Sequence, residues 1–301
     1  MKMETLQEQT DRLSSQPVVS HDEWMTARKE LVRKEKELTD MMDAVAEERR
    51  RLPWELVEKD YTFRGPRGTQ TLSELFDGRS QLIIYHFMFA PDWEEGCPGC
   101  SFLADHIDGP NLHLSHHDVS FVVVSRGPIE KLEAYKKRMG WKFHWVSSAD
   151  SDFNFDYQAS FSPEQVSAGK AIYNFETLTE EDCGGMTELP GTSVFYKDEK
   201  GRIYHTYSSY SRAGDIFIGA HQFLDVTPKG RNERTIMDWV RRHDKYEDKG
   251  AAPEKAVAPR DVEDTHLDQT SQGQSPDNQE ACNKDSEPAI AGKDSKACCC
   301  N

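Results

Sequence analysis

The segment QLIIYHFMF, residues 81–89, runs from aliphatic into aromatic side chains with scarcely a polar interruption. A short run of this kind reads as a strand covered on both faces. It sets the architecture, because helices then have to pack above and below the sheet that holds it. DVSFVVVS (118–125) reads as a second buried strand and WKFHWVSS (141–148) as a third. Between those two, PIEKLEAYKKRMG (128–140) reads as a helix with Pro128 near its start and Gly140 as its stop. Upstream, WELVEKDYTF (54–63) reads as one strand and RGPRG as a turn, and TLSELFDG as a short helix opened by a Thr71–Glu74 capping box. Downstream, TSVFYKDEKGRIYHTYSSY (192–210) reads as a hairpin turning at Glu199-Lys200-Gly201, followed by a helical DIFIGAHQFLD. The order βαβαβ, then hairpin and helix, predicts an α/β chain with a central mixed sheet flanked by helices.

Just past the first buried strand stands EEGCPGCSF (94–102), with Cys97 and Cys100 at the start of the helical stretch SFLADHIDG. Open α/β sheets place their sites beyond the carboxyl ends of such strands. A cysteine at a helix N-terminus sits among free N–H groups, which favour its thiolate. Pro98 suits the first helical turn. Cys97 is thus the attacking thiol, and Cys100, one turn inside, the resolving one. Asp92, Glu94 and Glu95 place negative charge beside that thiolate, so acidification is expected to be weaker than the helix end alone would give, and the pair to act as a reductant.

Strand, loop with Trp93, C-x-x-C and helix together resemble the thioredoxin superfamily. A closer resemblance is to an uncharacterised thioredoxin-like family labelled as predicted dithiol-disulfide oxidoreductases. It is carried by ARKELVRKEKELT, RRLPWELVEKDYTF, LFDGRSQLIIYHFMFAPDWEEGCPGCSFLADHIDG, EKLEAYKKRMGWKFHWVSS, DFNFD, ELPGTSVF, HTYSSY and PKGRNE with MDWVRRHD, roughly residues 24–245. The resemblance implies a thioredoxin-like fold with Cys97 and Cys100 as the redox pair. One departure concerns the cis-proline that thioredoxins place directly before the strand facing the dithiol. Pro190 stands three residues before Ser193, and Thr192 or Ser193 abuts the strand.

Competing readings attach to the same residues, among them a non-catalytic thioredoxin-like binding module whose cysteines are structural or zinc-binding. Cys97, Cys100, His113 and His117 have the spacing of a zinc finger. Ala104 and Pro110 occupy the places where a finger needs core residues, and Gly109-Pro110 would interrupt its helix, so His113, His116 and His117 read as a solvated loop. A peroxidatic reading keeps Cys97 as the reactive thiol and takes Arg126 as the group stabilising it, against a plain pairing of Arg126 with Glu130. Cys183 is either a distant resolving thiol or an uninvolved loop cysteine. His86, inside the buried strand, is either a satisfied core histidine or a proton acceptor for Cys100.

The two ends are different in kind. HDEWMTARKELVRKEKELTDMMDAVAEERRRLP reads as one long helix stopped by Pro53, with Trp24, Ala27, Leu31, Leu38, Met41 and Val45 on one stripe. It either packs on its own domain or serves a homo-oligomer or another partner. After Tyr246 no aromatic residue follows, and the Pro, Ala, Ser, Gln and acid-rich remainder reads as a disordered acidic tail. The expected organisation is a helical extension over 1–52, a thioredoxin-like domain over 53–246 and a tail over 247–301. The tail ends in Cys298-Cys299-Cys300-Asn301, the loosest form of a prenylation box. Lipid attachment there would tether the domain at a membrane, and unmodified thiols would leave it free.

Seven cysteines, unevenly placed in 301 residues, do not form the framework of a small secreted scaffold, and no apolar leader opens the chain. A reducing, cytoplasmic setting is expected. The net charge of −16 argues against nucleic acid. No glycine-rich dinucleotide fingerprint occurs, so no cofactor is expected. The partners implied are a disulfide- or peroxide-containing substrate and a thiol electron donor.

Overall fold

The computed structural model describes residues 6–233 and 235–246. The expected acidic tail and its Cys282, Cys298, Cys299 and Cys300 lie outside the described residues. The chain opens with α1 (Leu6–Ser14) and the long α2 (His21–Arg50). A capping box between Ser20 and Glu23 starts α2, and Pro53 follows its end. Among the described residues no helix is long and apolar enough to cross a membrane.

The strands are β1 (Glu55–Leu56), β2 (Thr62–Gly65), β3 (Gly68–Thr71), β4 (Gln81–His86), β5 (Val119–Ser125), β6 (His144–Ser147), the small hairpin β7 (Ile172–Tyr173) and β8 (Glu176–Thr177), and the long hairpin β9 (Gly191–Lys197) and β10 (Ile203–Tyr210). The helices after α2 are α3 (Pro98–Ala104), α4 (Asp108–His116), α5 (Ile129–Met139), α6 (Phe153–Asp156), α7 (Pro163–Ser167), α8 (Glu180–Cys183) and α9 (Gly219–Asp225).

Eight strands form one sheet in the order β1-β10-β9-β4-β5-β6-β2-β3. β4, β5 and β6 run parallel, β9 lies antiparallel to β4, and β10 antiparallel to β9. Three parallel strands joined through helices, flanked on the side of the first by an antiparallel hairpin and closed by a final helix, make a thioredoxin-like fold. The expected α/β architecture with helices on the sheet is therefore the observed one.

Period-two alternation splits β4 between two cores. Leu82 and Ile84 join Phe63, Phe76, Val122, Val124, Phe153 and Phe195 on one face. Tyr85 and, just past the strand, Phe87 and Phe89 join Trp145, Phe143, Leu132 and the inner face of α3 on the other. Burial on both faces of β4 is what its continuous apolar run required.

Three expectations need correction. WELVEKDYTF is not one strand: Glu55–Leu56 pairs with β10 at one edge of the sheet, while Thr62–Gly65 pairs with β3 and β6 at the other. The segment between crosses from edge to edge, which a single strand cannot do. The histidines His113 and His116 sit on α4 rather than in a loop, with His117 as its cap. Gly109-Pro110 falls in the first turn of that helix, where a missing N–H costs nothing, so the pair starts a helix instead of interrupting one. Finally, α2 buries no side chain, and Trp24, Leu31, Leu38 and Met41 are exposed. Packing of this stripe on its own domain is not observed. The helix draws on its capping box and on pairs such as Arg33–Glu37 instead.

Candidate active site

Beyond β4 the backbone stays extended for three residues and is held by β5: Phe87 N–H donates to Val124 O at 2.9 Å, and Gly127 N–H to Phe89 O at 2.7 Å. This rail carries the cysteines. Cys97 N–H donates to Met88 O at 3.1 Å, and Met88 N–H donates to Cys100 Sγ at 3.4 Å. Gly96 is required by closeness: a Cβ there would lie 2.5 Å from the ring of Phe87, itself fully buried.

Cys97 is the N-cap of α3 with Pro98 in the first turn, as the sequence predicts. It is half-buried, whereas Cys100 is buried. The Cys100 thiol donates a hydrogen bond to Cys97, and the backbone N–H groups of Cys100 and Gly99 point at the same sulfur. Together with the more distant Arg242 charge they outweigh desolvation and bring the Cys97 thiol down to about 7. Burial, with the neighbouring Cys97, pushes Cys100 well above the ordinary thiol range. The Tyr85 hydroxyl donates to Cys100, and burial holds Tyr85 protonated.

Of the three acids expected to weaken this effect, Glu94 and Glu95 are paired. Glu94 pairs with Lys131 at 3.0 Å, and Glu95 pairs with Arg138 and with Arg242 at 3.0 Å. Each of these two carboxylates thus has a cationic partner. Arg242 also donates to Gly96 O through Nε at 3.0 Å and Nη2 at 2.7 Å, clamping the residue before Cys97.

Other expected site residues divide sharply. Pro190 and Thr192 line one cavity with Cys97 and Cys100. β9 begins at Gly191, so Pro190 directly precedes the strand instead of standing three residues off. Its peptide bond is trans, as are all those of the described residues. Trp93 is half-buried and packs against the core, with its carbonyl accepting from Lys131 at 3.1 Å, but it does not line that cavity.

Arg126 is not a thiolate partner, nor does it pair with Glu130. It donates to buried Glu188 at 2.8 Å and stacks over Phe155, 4.5 Å from the ring centre. His86 is a core histidine: its ring nitrogens lie 2.9 Å from Ser193 Oγ and 3.4 Å from Asn154 Oδ1, and the ring stacks on Phe153. It faces the opposite core from Cys100, and burial depresses its pKa to about 4. Cys183 is buried at the end of α8, its thiol donating to Glu180 O, and is not part of the cavity wall. His113 and His117 belong to α4 and its cap, and the described residues contain no group of three or more His, Cys, Asp or Glu placed to hold a metal ion.

Two site residues escaped sequence reasoning. Tyr85 is the neighbour of His86, and strict alternation assigns Tyr85 to the cysteine side once one knows which face carries α3. Arg242 is brought in from far along the chain, and its only signal was its place within the MDWVRRHD block.

The cavity at the dithiol has a volume of about 400 Å³. Met88, Leu103, Leu189, Ile218, Ile236 and Met237 supply its apolar wall, and Thr192, Ser209 and Ser211 its hydroxyls.

No curated protein matches the chain. Among solved structures it is similar to peroxidoxin BcpB from Mycobacterium tuberculosis (14% identity, 56% of this chain and 94% of that one, TM-score 0.38). It is similar also to peroxiredoxin Q from Xanthomonas campestris (12% identity, 56% and 95%, TM-score 0.39). A third is the mitochondrial 2-cys peroxiredoxin from Plasmodium falciparum (10% identity, 58% and 94%, TM-score 0.32). Residues 13–246 match the model of the family described as bacterial protein of unknown function, DUF899, and the chain belongs to that family.

Proposed function

We propose that the protein is a thiol-disulfide oxidoreductase whose redox pair is Cys97 and Cys100. The observation that carries this reading is a half-buried Cys97 at the N-cap of α3 with a buried Cys100 one turn inside it, both in the wall of one cavity, and the two thiols shifted in opposite directions. One sulfur is ionised near neutrality and open to a substrate, and the other holds its proton until it is needed.

The Cys97 thiolate attacks one sulfur of a disulfide. That bond breaks, one substrate thiolate leaves and takes a proton from water, and a mixed disulfide forms at Cys97. Cys100 then gives up its proton and attacks the Cys97 sulfur. The second substrate thiol departs and the Cys97–Cys100 disulfide closes. The substrate gains two electrons and the dithiol loses them, to be restored by a dithiol reductant. Tyr85 and the Met88 N–H stabilise the Cys100 sulfur as it loses its proton.

A peroxide substrate is less well supported, because Arg126 is committed to Glu188 and Arg242 spends its guanidinium on Gly96 O and Glu95. Trapping tests the reading. With Cys100→Ser in a chain also carrying Cys282→Ser, Cys298→Ser, Cys299→Ser and Cys300→Ser, the reduced protein should accumulate a mixed disulfide at Cys97 when mixed with a small disulfide, seen as an intact-mass increase. With Cys97→Ser it should not. Equal labelling of the two variants would contradict the assignment of roles.

A further inference from the structure

We infer that this site is built for a small, uncharged, largely apolar disulfide, and against both glutathione-like anions and extended peptide segments. The inference rests on the dithiol reading above and adds the class of molecule that the dithiol meets.

The first argument is charge. Among the residues lining the cavity no lysine, arginine or histidine occurs, and the single ionisable carboxylate is Asp215. Asp215 Oδ2 is held at 3.0 Å by both Arg212 and Arg231, neither of which reaches the cavity wall. The charge of Asp215 is thus matched outside the cavity, and a carboxylate-bearing substrate would meet the Cys97 thiolate with no cation in the cavity wall to offset its desolvation. Apolar groups find Met88, Leu103, Leu189, Ile218 and the exposed Ile236.

The second argument is backbone availability. An extended peptide is bound beside a sheet by pairing with free main-chain groups at its edge, here the segment that leads into β9 at the dithiol. Here the N–H groups from Leu189 to Gly191 and the Pro190 carbonyl are already committed or absent. Leu189 N–H donates to Ala159 O at 3.0 Å, Pro190 has no N–H, and Pro190 O accepts from the Tyr173 hydroxyl at 2.8 Å. Gly191 is the first residue of β9, paired with His86 on one side and Tyr210 on the other. The N–H donors that an added strand would need are taken, whereas the cavity volume suits a small molecule.

The test uses the full-length reduced chain carrying Cys282→Ser, Cys298→Ser, Cys299→Ser and Cys300→Ser, with Cys97→Ser as background. Its reaction with dithiodipyridine, which is uncharged, and with dithiobis(nitrobenzoate), a dianion, is followed by stopped-flow absorbance. Each rate is divided by that of a free model thiol at the same pH. The expected ratio of uncharged to dianionic rates exceeds that of the model thiol by about tenfold or more. Ile236→Lys, at a residue already exposed, should bring it back towards the model value. Oxidised glutathione and insulin, normalised in the same way, should react more slowly than the uncharged reagent. A ratio equal to the model thiol's, a ratio that Ile236→Lys leaves untouched, or a preference for insulin overturns the assignment while Cys97 remains a reactive thiol. Failure of both reagents to react at Cys97 in the folded protein overturns the dithiol reading itself.

Discussion

At the scale of single residues the account turns on hydrogen bonds to one sulfur. Alkylation of Cys97 by iodoacetamide should rise with pH through a midpoint near 7, where its thiolate forms. Cys100→Ala removes the leading donor, so the midpoint should move up towards the ordinary thiol value. Cys100→Ser keeps an O–H donor and should move it less. Equal shifts in the two variants would mean that the Cys100 bond is not the cause. Gly96→Ala forces a Cβ into the Phe87 ring and should slow the reaction of Cys97 without touching either cysteine. The dithiol itself was legible because its chemistry is local: two cysteines one turn apart at a helix start. Its charged surroundings were not legible. Glu94 and Glu95 look like repulsive neighbours until Lys131, Arg138 and Arg242 are seen to take them. Sequence spacing says nothing about where Arg126 and Arg242 end up, because both are placed by tertiary packing.

At the scale of elements, strongly patterned segments were readable and weakly patterned ones were not. The buried strands, the helix from Pro128 to Gly140 and the hairpin turn all follow from burial pattern and turn chemistry acting on their own residues. Gly140 ends α5 at φ 71°, a left-handed conformation. Gly140→Ala should therefore cost about 1 kcal/mol in chemical denaturation. An unchanged midpoint would show that this cap does not matter. The region from Trp54 to Phe63 misled because its residues belong to two distant edges of the sheet, and edge pairing leaves little trace in a hydrophobic pattern. α2 is readable as a helix, but whether its stripe is covered is not a local property. Leu38 is 60% exposed, so Leu38→Asp should change the chain's own melting by less than about 0.5 kcal/mol. A larger loss would mean that this stripe is packed in solution.

At the scale of the whole molecule, two cores share one sheet, and polar groups sealed between elements couple stability to pH. Glu188 is buried, and burial outweighs the Ser160 hydroxyl and the Arg126 guanidinium, raising its pKa from 4.5 to about 7. The folded state thus holds this proton more tightly than the unfolded chain. The resulting stability is complete below pH 4.5 and is lost as pH rises through about 7, with a size on the order of 3 kcal/mol. Glu188→Gln should flatten that part of the stability-pH curve, as followed by denaturant midpoints from pH 4 to 8. A variant curve parallel to that of the native chain would contradict it.

The proposed redox couple of Cys97 and Cys100 is measured by equilibrating the protein in glutathione or dithiothreitol buffers of graded potential and counting trapped thiols at each cysteine by mass spectrometry. The neutralised acids and the acidified Cys97 predict a single two-electron transition confined to this pair, near the thioredoxin value of about −270 mV. Thiols that stay unreactive until the chain unfolds, or a transition that involves other cysteines instead, would contradict it.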